Sequence, residues 1–197
     1  MTVRYRMVMS LSKADWTESA LLALARDGLT GVAVEPLARR LNATKGSFYW
    51  HFANRAELIA ATLELWEQHQ TTEVIEHIRA ISDPRDRLVA LGTGAYADAA
   101  QGNAHAAVLA AASDPQVAPV LERVTRTRLT FLQELYCDLG NATDDAARRA
   151  RMAYALYLGI GELYRADPDN APAGQELHAD LELAIDLMTS PPNGSKE

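Results

Sequence analysis

Between Thr44 and Arg55 the chain reads Thr-Lys-Gly-Ser-Phe-Tyr-Trp-His-Phe-Ala-Asn-Arg, which collects two cations, three hydroxyls, an imidazole and an indole in twelve residues. Helical spacing puts Phe48 and Phe52 on one face, as residues four apart, and leaves Lys45, Ser47, Tyr49, Trp50 and His51 largely outward. The Tyr49 hydroxyl and the His51 ring nitrogens can donate to phosphate oxygens. Lys45 can serve either guanine O6/N7 or a phosphate. Arg55 falls in the first turn of a following helix, where backbone amides also favour an anion. A solvated helix would gain nothing by exposing Tyr49, Trp50 and His51 together, so this face reads as a contact surface. A second group, His69, Glu73 and His77, recurs at four-residue steps with side chains a transition metal accepts. Steps of four supply only part of a site, and a solvated helical face is the preferred reading; no metal and no other cofactor is expected. Cys137 stands without a recognisable catalytic partner.

The elements that would position the Thr44–Arg55 face are legible upstream. Ser12 with Asp15 three residues later predicts a capped helix, with Trp16, Ala20, Leu21 and Leu24 at helical spacing and Gly28 as its stop. A second, two-turn helix is predicted over 34–41, with Pro36 tolerated in the first turn. Asn42 suits the left-handed residue of a tight helix-to-helix turn. Thr44 then caps a third helix over 45–52. Asn54 with Glu57 opens a long helix, 55–81, free of Gly and Pro. Asp83-Pro84 and Asp114-Pro115 each read as an N-cap followed by Pro at the first helical position. Further helices are expected at 84–100, 105–112, 115–139, 144–166 and 173–189.

Composition agrees with an all-α fold. Among 197 residues there are 35 Ala against 10 Val and 6 Ile, and 48% of the chain is hydrophobic, so a sheet-rich or disordered chain is excluded. A single cysteine cannot close an intramolecular disulfide, which excludes an oxidised scaffold. The longest purely apolar stretch, 106–112, is far short of the roughly 20 residues a membrane helix needs. With no signal-peptide pattern, a cytoplasmic protein without membrane partners is expected. The net charge of −7 alone argues against a polyanionic partner, but it divides unevenly: residues 1–60 carry +3 and the remainder −10.

Two short helices joined by a tight turn, a supporting helix and a basic, aromatic outer face form a helix-turn-helix DNA reader. The stretch 11–65, with its Tyr49-Trp50-His51-Phe52 ending and the following Asn54-Arg55-Ala56-Glu57-Leu58, resembles the DNA-binding domain of TetR-family transcriptional regulators. The resemblance implies that Lys45, Gly46 and Ser47 approach base edges and adjacent phosphates. It also implies that Tyr49, His51 and Arg55 contact the phosphates of an operator duplex, with Thr44 and Trp50 assigned to the same DNA-binding face. It divides the chain into a basic arm at 1–10, a reading domain at 11–54, a helical effector-binding and dimerising body at 55–190, and a disordered tail at 191–197. Two residues depart from the family pattern. Ala33 stands where a Thr or Ser usually caps the second helix, and Glu35 occupies its exposed first turn, either accepting from a cytosine amino group or complementing the helix N-terminus. The leader, with Arg4 and Arg6, is either an arm along the duplex or lies partly ahead of the true start, for which Met7 and Met9 are the candidates.

The body would hold a small apolar or aromatic effector and pair with its twin. Trp66, Tyr96, His105, Phe131, Tyr136, Tyr154 and Tyr157 are the candidate pocket aromatics, although any one of them alone is more often a core residue. Leu156, Gly159, Leu163, Leu181, Ile185 and Met188 lie on apolar stripes of the last two helices and are assigned to the dimer interface, intrachain core being the alternative. The expected function is a ligand-released dimeric repressor on a palindromic operator. A helical interaction adaptor with weakened DNA binding, or an all-α enzyme, are the alternatives.

Overall fold

The computed structural model describes residues 11–100, 104–170, 172 and 174–189; the leader and the 191–197 tail lie outside them, as do the side chains of Tyr96 and Met188. The described residues form ten α-helices and no strand. Helix α1 (Lys13–Asp27) starts in a reciprocal cap: the Ser12 hydroxyl accepts from the Asp15 amide at 3.2 Å, and the Asp15 carboxylate accepts from the Ser12 amide at 2.7 Å. It stops at Gly28, with φ of 67°, and a tight turn over Leu29–Gly31 follows. Only glycine fits at position 31, because a Cβ there would sit 2.8 Å from the Ala23 carbonyl oxygen.

Helix α2 (Val34–Arg40) begins at Ala33, whose side chain offers no cap, so an N-terminal amide lacks its usual oxygen. Ala33→Thr is therefore expected to raise stability by about 1 kcal/mol, read as an upward shift of the melting temperature. The turn to the next helix passes through Asn42, the one non-glycine residue with positive φ (51°) among those described. Helix α3 (Lys45–Tyr49) is shorter than the 45–52 the spacing predicts; Phe52 is reached by a last helical bond from its amide to the Phe48 carbonyl. Five residues cannot hold a helix alone. Thr44 supplies the cap by accepting from the Ser47 amide at 3.1 Å, and fully buried Phe48 anchors the helix edge-on to Trp16 and stacked on Phe52, each ring pair 5.4 Å apart.

The long helix predicted over 55–81 is one axis interrupted once. Helix α4 (Arg55–Glu67) passes into a π-turn over Gln68–Thr72, where the Glu73 amide reaches back to the Gln68 carbonyl, and resumes as α5 (Glu73–Arg79). The buried positions explain the interruption. They step 58, 59, 62, 63, 66 and then, after a gap of five, 71, 75 and 78, so one extra residue in the turn keeps the inward face inward. Helices α6 (Pro84–Ala100), α7 (Ala104–Ala110), α8 (Ala118–Asp138), α9 (Thr143–Ala166) and α10 (Gln175–Thr189) complete the body. Helix α8 starts three residues after the expected position, because Asp114-Pro115 makes a turn in which the Asp114 carbonyl accepts from both Val117 and Ala118 amides.

Helices α8 and α9 pack as a long antiparallel pair, α6 lies against α9 and α10, and α1 packs on α4 and α7. One apolar core runs from Trp16, Leu24 and Phe48 through Leu63 and Trp66 to Val108 and Val124, so reading head and body share a continuous interior. A second core gathers Ile75, Ile78, Leu88, Phe131, Leu135 and Tyr136, and a third Ile160, Leu181 and Ile185.

Candidate functional site

With Phe48 and Phe52 buried, α3 turns Thr44, Lys45, Gly46, Tyr49 and Trp50 to solvent, Tyr49 being 61% and Trp50 88% exposed; Ser47 is half-buried. An indole this exposed on a rigid helix is a surface in want of a partner. Exposed Arg39 and Arg40 of α2 flank it. Arg39, in the last turn of the helix before the tight turn, was not among the sequence candidates, and its position beside the loop was the available signal.

Three assigned phosphate or base contacts are engaged within the chain. Lys45 pairs with Glu35 across the turn at 2.5 Å, which holds the Lys45 ammonium pKa above and the Glu35 carboxyl pKa below their usual ranges. Glu35 stands in the first turn of α2, where a carboxylate complements the helix N-terminus as expected, and it pairs with Lys45 as well. His51 places Nε2 2.7 Å from the Leu11 carbonyl, so that nitrogen carries the proton and donates to the chain ahead of α1. Arg55 departs furthest from expectation: Nε donates to the Val32 carbonyl at 2.6 Å and Nη2 to the Leu29 carbonyl at 2.7 Å. Its guanidinium ties the start of α4 to the loop ahead of α2. The Asn54 cap, which accepts from the Glu57 amide at 3.0 Å, fixes the same corner, and Glu57 returns a carboxylate to the Ala53 amide at 2.7 Å.

The body contains a cavity of about 510 Å³ between α5, α6, α8, α9 and α10. Of the candidate aromatics, Phe131, Tyr154 and Tyr157 line it. Trp66, His105 and Tyr136 do not: Trp66 belongs to the head-side core, Tyr136 to the second core, and His105 stacks on Trp66 at 5.7 Å, with Tyr157 on its other side at 5.4 Å. Burial, then the neighbouring Arg128, lowers the His105 pKa to about 3, and burial pushes the Tyr136 phenol up to about 12. Tyr96 has no described side chain. Sequence reasoning missed Arg128, which lines the cavity; the signal was a cation on the buried stripe Val124, Phe131, Leu132, Leu135 of α8. His69, Glu73 and His77 sit along the same cavity, and no three His, Cys, Asp or Glu side chains among the described residues come together as a metal requires.

The assigned dimer residues separate into two groups. Leu163 is exposed with Met152 on one face of α9, where Gly159 has open space around it, and Leu156 is partly exposed there and also lines the cavity. Leu181 and Ile185 instead point inward, 4% and 8% exposed, onto Ile160 and the cavity wall, so they are core of the single chain. The outward apolar residues of α10 are Leu183 and Leu187. Met188 has no described side chain. No helix among the described residues is long and apolar enough to cross a membrane.

Residues 17–68 match the model of the tetR family of bacterial regulatory proteins. Over 82 residues the chain is 33% identical to the probable HTH-type transcriptional regulator ArpR of Pseudomonas putida, a stretch that is 41% of this chain and 36% of that protein. The HTH-type transcriptional regulator TtgR, also of Pseudomonas putida, is 32% identical over 82 residues, with the same shares of 41% and 36%. The match thus spans little more than a third of these curated relatives. In fold, the chain is similar to the crystal structure of a transcriptional regulator of the TetR family from Cytophaga hutchinsonii, with a TM-score of 0.74 at 18% identity, covering 96% of this chain and 100% of that one.

Proposed function

We propose, from the match of residues 17–68 to the tetR family of bacterial regulatory proteins, that the chain is a member of that family and a cytoplasmic dimeric repressor that reads a palindromic operator and is released by a small molecule bound in the body. The observation that carries this reading is the α3 face: Tyr49 and Trp50 exposed, Thr44, Lys45 and Gly46 beside them, on a helix made rigid by Phe48 and Phe52. Such a face enters a major groove with its hydroxyls and cations at the phosphates. Two copies would set two such helices about one DNA turn apart, roughly 34–36 Å.

The cavity is coupled to this head by construction. Its wall includes Gln70 and Thr71 of the π-turn, directly below α4, and α4 carries the corner that Arg55 and Asn54 fix. A ligand that favours one setting of the π-turn therefore biases the orientation of the head. Selection from random duplexes with purified protein tests the reading; enrichment of a palindrome supports it, and recovery of no DNA at all removes it.

The Lys45–Glu35 pair must open for Lys45 to reach DNA, and an exposed pair of this kind is weak enough to open. Glu35→Gln is expected to tighten binding to all sequences and to steepen the fall of log K with log salt by about one, measured by fluorescence anisotropy across a salt series. An unchanged slope would leave Lys45 away from the phosphates.

A further inference from the structure

Arg128 is a cation built into the cavity wall, with no carboxylate paired to it among the described residues. Its Nε donates to the Thr71 hydroxyl at 3.0 Å, its Nη2 to the Gln70 carbonyl at 2.8 Å, and its Nη1 faces His105 Nδ1 at 3.4 Å. All three acceptors are neutral, and none of the ion pairs among the described residues includes Arg128. The guanidinium lies over the Trp66 and Tyr157 rings, 5.7 Å and 6.0 Å from their centroids. These contacts fix its plane while using three of its five N–H groups. One N–H remains on each terminal nitrogen, free to donate to the oxygens of a carboxylate.

The surroundings keep the charge single. An arginine only donates, so His105 accepts at Nδ1 and carries its proton on Nε2, which is buried without a partner. Neutral His105 adds no second charge, consistent with a pKa lowered to about 3 by burial and Arg128. At the cavity edge Glu73 is exposed and opposes a second negative charge on a ligand. The rest of the wall is mainly apolar, with Ile78, Leu88, Phe131 and Leu132 among its residues, and its other polar groups are the His69 and His77 imidazoles and the Tyr154 and Tyr157 phenols. A volume of about 510 Å³ falls within the range of small-molecule sites.

We propose that the cavity takes a monocarboxylate with an apolar body, the carboxylate paired with Arg128 and the body against Phe131, Leu132 and Ile78. This deepens the effector site of the proposed repressor and rests on that reading only for its consequence at DNA. The cation also links ligand to turn, since the guanidinium that would hold the carboxylate holds Gln70 and Thr71 of the π-turn.

The test is calorimetric titration of the full chain with phenylalkanoates from phenylacetate to 6-phenylhexanoate, each beside its primary amide. At the best length the acid is expected to bind about tenfold more tightly than the amide. Arg128→Gln is expected to bring the acid-to-amide affinity ratio to about one, whatever it does to the affinity for both, and Arg128→Lys to retain part of the preference. Circular dichroism checks that the variants fold, and the acid–amide comparison on the unmodified chain decides the matter if they do not. No acid preference at any length, or a preference that survives Arg128→Gln, overturns the proposal. Operator selection with ligand-free protein is run separately: its failure removes the repressor reading and leaves the acid preference measurable.

Discussion

Arg55→Met is expected to lower stability by about 2 kcal/mol and to abolish specific DNA binding at ordinary salt. The guanidinium donates two charge-assisted bonds, at 2.6 and 2.7 Å, to the Val32 and Leu29 carbonyls. Those carbonyls lie in the loop that sets where α2 begins, and α2 with α3 forms the reader. Removing the donor leaves two acceptors short of their partner and frees the head to tilt on α4. Bonds to a charged group are worth about 1.5–3 kcal/mol each, and because the side chain is exposed water makes good part of the loss, which brings the pair down to about 2 kcal/mol. A simple phosphate contact would behave differently, weakening binding uniformly while leaving the urea midpoint unchanged. Denaturation and anisotropy on the same variant separate the two roles. Arg55→Lys sharpens the comparison, because a lysine restores a positive charge for phosphate but cannot reach two carbonyls in fork geometry. Loss of stability in both variants identifies the tie; normal stability in both returns Arg55 to the DNA.

The head's local architecture was legible because its signals are local. Ser12 with Asp15, Asn42 in the turn and Thr44 before α3 each act within three or four residues, and the structure gives each the conformation or hydrogen bond its type favours. What the sequence could not show were bonds across the fold. Arg55 is over 20 residues from the carbonyls it holds, and His51 is 40 from Leu11. Lys45 meets Glu35 only because the Asn42 turn folds α2 back beside α3. The phosphate roles inferred by resemblance therefore compete with intrachain partners that no local pattern announces. The π-turn was hidden differently: 55–81 contains no Gly or Pro, and the step of five from Trp66 to Thr71 makes sense only once the inward face is known. In the body, periodicity located the stripes of α9 and α10 without saying what each would face. Helix α10 is apolar on two sides, with Leu181 and Ile185 closing the cavity and Leu183 and Leu187 outside.

That division of α10 leads to the other large effect. Leu163→Asp combined with Leu187→Asp is expected to convert a dimer into a folded monomer and to weaken operator binding by about 100-fold or more. Leu163 and Leu187 are 67% and 68% exposed on the single chain, so a carboxylate at either disturbs no intrachain packing. With Met152, Leu156 and Leu183 they give α9 and α10 an apolar outer surface. A second copy of the same pair of helices can cover it in a four-helix arrangement. In that interface the new carboxylates would be buried without partners, a cost large enough to separate the subunits. A monomer still reads a half-site, but its second head no longer binds as a tethered neighbour at high effective concentration. Sedimentation equilibrium reports the assembly state, and anisotropy with whole and half operators reports the coupling. Ile185→Asp is the contrasting variant: at 8% exposure its carboxylate enters the core shared with Ile160 and Leu181, and it is expected to unfold the body. If the Leu163/Leu187 variant stays dimeric, the subunits pair through a different surface; if it unfolds like Ile185→Asp, these leucines serve the single chain instead.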